Sequence, residues 1–189
     1  MRGPLARVPS PFEVAVRVLW RATPLQPAPS EFRVQWARYS DLKTLSRREG
    51  LKQEYLVGCL ERMRRGERPV VTIWSERPVA LLWLAKDAAT AAAAAGLPHE
   101  FPEGAALVTD SYVALDLRGS PRRETLPAAL LTFLAAEGIT ALFGVSDTRD
   151  RAPLLSVCGA RTLPVARRTD IQLPFKRFGG VHYFDSEGN

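Results

Sequence analysis

Cysteine and histidine are scarce in this chain: Cys59, Cys158, His99 and His182 are the whole supply. Scattered so widely, these four residues give no spacing from which a zinc site can be drawn, and no metal is expected. Both cysteines lie in apolar helical patterns. They are therefore expected to be buried, reduced and non-catalytic rather than part of a disulfide scaffold, which suits a reducing, cytoplasmic setting. Long apolar runs are missing too. "PVALLWLA" and "ATAAAAAGL" are far too short to cross a bilayer, so no membrane partner is expected. Near the start, "FEVAVRVLW" is broken by Glu13 and Arg17 and does not suit a secretory signal.

Proline is plentiful only at the start. Residues 1–30 hold six of the fifteen prolines, and "RATPLQPAPSEF" reads as a linker. The expectation is a loosely attached extension over 1–30, with a short amphipathic element, followed by one domain over 31–189.

Positive charge is in excess, with 26 Lys and Arg against 20 Asp and Glu, so anions are attracted. In "SRREGLKQEYLVGCLERMRRGER" the bases alternate with Glu49, Glu54, Glu61 and Glu67, which reads as a solvated helix face. The turn at 118–123 and the late segments "RTLPVARRTD" and "FKRFGG" lack comparable acids and are the anion candidates. No nucleic-acid motif or aromatic–basic stripe accompanies them, so nucleic acid ranks last among partners.

The local patterns predict a mixed sheet with helices on both faces, an α/β arrangement. Phe32, Val34 and Trp36 alternate with Arg33, Gln35 and Arg38 in a strand, and Ser40 and Asp41 can cap a short helix after it. A second helix carries Leu51, Tyr55, Leu56, Cys59, Leu60 and Met63 on one stripe. "VVTIW" and "VALLWLA" around "SERP" form a hairpin, with Trp74 and Trp83 in the sheet's packing. An alanine helix between Asp87 as N-cap and Gly96 as C-cap reads as a surface insertion. After the strand "AALVTDSYVALDL", Pro127 decides where the next helix begins. Starting at Pro121 would place Pro127 inside the helix at a cost of roughly 3 kcal/mol. With Thr125 as N-cap it falls in the first turn, giving a helix from Leu126 to Glu137 that faces the sheet with Leu130, Leu131, Phe133 and Leu134. "ITALFGVS" is the next strand, "RAPLLSVCG" a short helix capped by Asp150, and two more strands flank a basic loop near the end.

That order, with these residues, resembles the GNAT acyltransferase superfamily from about Phe32 to Phe184. "FRVQWARYSDLKTL" is similar to its first strand and helix, and "VVTIWSERPVALLWLA" to its hairpin. "VALDLRG" before an apolar helix is similar to its cofactor strand and loop, and "GITALFGVSDTRDRAPLLSVCGA" to its strand, short helix and Gly-Phe segment. The resemblance implies transfer of an acyl group from acetyl-CoA or a longer acyl-CoA to an amine acceptor; a homodimer is allowed by it. It implies that the backbone of Tyr112, Val113, Ala114 and Leu115 pairs with pantetheine. The loop from Arg118, Gly119 and Ser120 to Arg122 and Arg123 would then hold pyrophosphate. The loop departs from the family pattern, since Pro121 and Arg123 stand where glycines are usual. Arginine side chains would have to replace the lost backbone donors. Leu155 stands where many members carry a tyrosine acid. For the general base the candidates are Asp110, then Asp116, then His182. The competing reading is a GNAT-like module without catalysis, binding a ligand or protein in the acceptor cleft.

Overall fold

The computed structural model describes residues 13–22, 31–96, 99–146, 162–173 and 176–183. Eight strands form one sheet: β1 (Glu13–Ala22), β2 (Arg33–Trp36), β3 (Glu67–Trp74), β4 (Arg77–Ala85), β5 (Ala105–Val113), β6 (Ala141–Ser146), β7 (Thr162–Leu173) and β8 (Lys176–Tyr183). Among the described residues four α-helices cover it: α1 (Tyr39–Arg48), α2 (Gln53–Arg64), α3 (Ala88–Ala95) and α4 (Leu126–Ala136). The strand order is β2-β3-β4-β5-β6-β1-β7-β8. Neighbours are antiparallel except β5 and β6, which run parallel.

The two faces have different coverings. On one, α4 sets Leu126, Ala129, Leu130 and Leu134 against Val70, Leu82, Leu84, Ala106 and Val108. Each fully buried leucine there contributes about 1.5–3 kcal/mol by leaving water. Pro127 sits in the first turn of α4 and Thr125 is its N-cap, as its sequence requires. The stretch Pro121–Thr125 is a separate 3-10 turn whose start is capped by the Ser120 hydroxyl. On the other face, Leu42 and Leu45 of α1 and Cys59 of α2 pack on Val71, Ile73, Leu81 and Trp83. Cys59 is buried and free, and Trp83 lies within the packing of the sheet.

The β3–β4 hairpin turns through Ser75 and Glu76, both at positive φ (47° and 61°). That is the twist a two-residue hairpin needs, met here without glycine.

Several expectations need correction. The stretch 13–22, expected within a loose extension, is strand β1, paired with β6 on one side and β7 on the other. Val14, Val16, Val18 and Trp20 alternate with Glu13, Ala15, Arg17 and Leu19; this period of two suits a strand, and Glu13 and Arg17 mark one set of it. Helix α1 is capped from Arg38 rather than Ser40: the Arg38 amide donates to Asp41 Oδ2 at 2.8 Å. On α2 the apolar stripe is only partly used, because Leu60 and Met63 are exposed while Cys59 is buried. Helix α3 is more than a surface insertion. Its Ala91 and Ala95 are buried against Ala85, Ala105 and Leu107, small side chains bringing the helix close to the sheet. The expected helix after Asp150, with Leu155, Ser156 and Cys158, lies outside the described residues.

Candidate active site

The candidate site begins where two neighbouring strands part. β5 and β6 pair only through Ala105–Ala141, Ala106–Leu142, Leu107–Phe143 and Val108–Gly144. Beyond Val108, β5 continues to Val113 with β4 as its partner strand. A bulge opposite Trp83 and Leu84 interrupts that pairing at Thr109. One extra residue shifts the alternation of side chains, so Thr109 and Asp110 both reach the α2 side of the sheet.

Two polar clamps grip this stretch. From α2, Arg62 lies over the Trp83 ring at 4.5 Å. Its Nε and Nη2 donate to Glu67 Oε2 (3.0 and 2.8 Å), its Nη1 to Asp110 Oδ2 (2.7 Å), and its Nη2 to the Thr109 hydroxyl (2.7 Å). Thr109 in turn donates to Glu67 Oε2 at 2.5 Å. Burial opposes the charge on Glu67, but the bonds from Thr109, Arg62 and Arg65 outweigh it and hold the carboxyl below its usual range.

From the end of α1, Glu49 Oε2 accepts from the Tyr112 hydroxyl (2.7 Å) and the Leu115 amide (3.2 Å). Burial, and then the bond to Glu49, push the Tyr112 phenol up to about 12. Arg48 pairs with Asp116 and donates to the Pro78 carbonyl at 3.1 Å. Glu49 and Glu67, expected on a solvated helix face, have side chains only 5% and 8% exposed. Both acids turn inward because each meets donors from β5 that lie far away in sequence.

Of the three candidate bases, Asp110 stands at the bulge with its side chain 48% exposed. Asp116 is in the Arg48 ion pair. His182 lies on β8 opposite Arg167, four strand steps from β5, or about 19 Å across the sheet. The fold does not bring it to the other two.

The loop after β5 is built differently from a phosphate cradle. Leu117 is buried in the core and anchors the chain as a tight turn. The amides of Leu117 and Arg118 donate to the Ala114 carbonyl, those of Ser120 and Arg123 to Leu117 and Ser120 carbonyls, and that of Arg122 to the Ser120 hydroxyl. Gly119 has φ +84° and open space around its Cα, so it serves the turn and not a close approach. Arg118 lies over the Tyr112 ring and donates to the Val113 carbonyl at 2.7 Å. Arg122 lies over Trp74 at 4.7 Å and pairs with Glu31 at 3.3 Å, an acid distant in sequence from this turn. Arg123 has no ion pair among the described residues. On the strand itself, the Ser111 amide donates to Asp110 Oδ1 at 2.8 Å.

Sequence reasoning passed over Arg62, Glu67 and Thr109. The available signal was weak: a glutamate opening a buried strand, "ERPVVTIW", and a Thr-Asp pair inside another.

No family model and no curated protein matches the chain. Among solved structures, it is similar to a GNAT-family acetyltransferase from Colwellia psychrerythraea, at 13% identity and a TM-score of 0.51, over 87% of this chain and 57% of that one. It is also similar to a GCN5-related N-acetyltransferase from Sphaerobacter thermophilus, at 14% identity and a TM-score of 0.44, over 94% of this chain and 56% of that one. The chain thus spans little more than half the length of these two proteins. The sheet and the first likeness define the class: this chain has the GNAT acetyltransferase fold, and the resemblance read from its sequence holds at that level. Among the described residues no helix is long and apolar enough to cross a membrane, and no group of His, Cys, Asp and Glu could hold a metal.

Proposed function

We propose that this GNAT-fold protein is an acyl-CoA-dependent N-acyltransferase, passing an acetyl or longer acyl group to an amine. One observation carries the reading: β5 parts from β6 after Val108, and the edge so opened leads past the bulge toward the start of α4. A pantetheine arm, with its two amides, adds to an open edge much as a short strand does. In the reaction the amine nitrogen attacks the thioester carbonyl carbon and the C–S bond breaks. Asp110 accepts the proton from the nitrogen, and the departing thiolate takes one from water. Asp110 suits the role because it is half exposed and fixed by Arg62. Asp116 is half exposed and ion-paired in the same way, but it lies beyond the end of β5 and away from the bulge, and His182 is four strands away, so both fit less well.

The pyrophosphate end fits less readily than the pantetheine end. The loop amides already donate within the loop, which leaves Arg123, and Arg118 once it releases the Val113 carbonyl, to meet the phosphates. The same observation favours the second reading, a GNAT-fold module that binds a partner without catalysis.

Calorimetric titration with acetyl-CoA and longer acyl-CoAs separates the two. The enzyme reading expects binding by wild type, unchanged binding by Asp110→Asn, and a turnover lower by about 10²–10⁴ in that variant. Absence of binding by any acyl-CoA overturns the enzyme reading. Unchanged turnover in Asp110→Asn removes Asp110 from it.

A further inference from the structure

Beside the bulge lies a cavity of about 490 Å³ between α2 and α3, with Arg62, Arg65, Glu67, Thr109 and Asp110 on one side and Thr90, Ala93 and Ala94 of α3 on the other. Its far wall is held closely. Gly66, at φ +92°, stands where an added Cβ would meet the Thr90 hydroxyl at 2.8 Å, and that hydroxyl donates to the Arg65 carbonyl at 3.4 Å. Asp87 caps α3 through the Thr90 amide at 2.8 Å, which fixes the first turn of the helix against the end of α2.

The charges around the cavity are not equivalent. Arg62 already donates from all three of its nitrogens, and Glu67 is buried with both oxygens accepting. Glu67 has nothing left for a ligand, and Arg62 keeps only one N–H, on its Nη1, outside these bonds. Asp110 is half exposed, and its Oδ1 accepts only from the neighbouring amide. Arg65 is 66% exposed, with one long contact of 3.4 Å to Glu67. The wall contributed by Ala93 and Ala94 carries no charge. One anion and one cation therefore face the same space. A ligand with only a positive group meets Arg65 as repulsion, and one with only a negative group meets Asp110 the same way. A ligand bearing both satisfies both.

We infer that this cavity takes an amine that also carries a carboxylate, an amino acid or short peptide, with its ammonium at Asp110 and its carboxylate at Arg65. This names the acceptor class for the acyltransferase reading, on which it rests only for the chemical step; the binding itself stands apart.

The test uses the full chain without acyl-CoA. Calorimetry or ligand-observed NMR is run on the common amino acids and their glycyl dipeptides, each beside its decarboxylated amine and its N-acetyl form. At least one zwitterion should bind, with both one-charge analogues weaker by about tenfold to a hundredfold, the range for one charged hydrogen bond. Arg65→Ala should lose the same factor for the zwitterion, while the bare amine, relieved of a like charge, binds as well as before or more tightly; Arg65→Lys keeps part of the zwitterion's affinity. The exposure of Arg65 makes both variants expected to fold, and an unchanged melting temperature checks this. The inference is overturned if no zwitterion binds, if a zwitterion and its bare amine bind equally, or if Arg65→Ala leaves zwitterion affinity intact. Zwitterion binding without acyl-CoA binding would sink the acyltransferase reading alone. Acyl transfer to bare amines at the same rate as to zwitterions would sink this inference alone.

Discussion

The loop at 114–125 and the bulge at 109–110 adjoin each other along the chain, yet they organise charge in opposite ways. The loop has three arginines within six residues, and space disperses them: one goes to the Val113 carbonyl, one to Glu31, and one to no ion pair among the described residues. The bulge shows only a threonine and an aspartate in sequence, and space gathers Arg62, Glu67 and Arg65 around them. A run of like charge repels itself and its side chains fan outward, whereas opposite charges from separate elements converge where a buried carboxylate needs donors. Charge density along the chain is thus a poor guide to where a charged site forms.

The largest effect should come from breaking the gathered cluster. Arg62→Ala leaves Glu67 buried with two of its donors lost, and removing one partner of such a pair costs about 3–5 kcal/mol. Urea unfolding should show that loss as a lower midpoint with an unchanged slope. A loss below about 1 kcal/mol would mean that water reaches Glu67 and that the bulge is no better ordered than the loop.

The acid limb of stability sharpens the same contrast. Glu67 is held below its usual range in the folded protein, so its stabilisation is complete above the ordinary carboxylate range and is lost as pH falls through the folded value. Wild type should therefore lose melting temperature more steeply toward acid than Glu67→Gln, which has no such proton to gain. Parallel curves for the two proteins would refute the assignment.

The smallest effect belongs to the loop. Arg122 and Glu31 have side chains 52% and 45% exposed, and exposed pairs contribute about 0–1 kcal/mol. Arg122→Ala should unfold within that margin of wild type. A loss comparable to that of Arg62→Ala would reverse the ranking of the two regions.

Much of the framework was legible before the structure. Alternation marked β2, apolar runs around a polar turn marked β3 and β4, Asp87 and Gly96 bounded α3, and Pro127 set the start of α4. These signals are local: a side-chain period, a cap, or a missing amide acts within a few residues of itself. β1 was misread because prolines on both sides of it spoke for a linker, while its valine alternation spoke for a strand that the distant β6 and β7 complete.

The site was less legible for the same physical reason. Sequence by itself determined that Asp110 lies on the strand before the loop, that one glycine cannot make a phosphate cradle, and that the chain has the order of elements of an acyltransferase fold. Tertiary structure decided which charges meet. Glu49 and Glu67 look like surface acids until Tyr112 and Thr109 arrive from β5. Arg122 looks free until Glu31 crosses to it. Local propensity is additive along a chain and can be read from it, but the environment of a charge depends on which distant dipoles and ions the fold sets beside it.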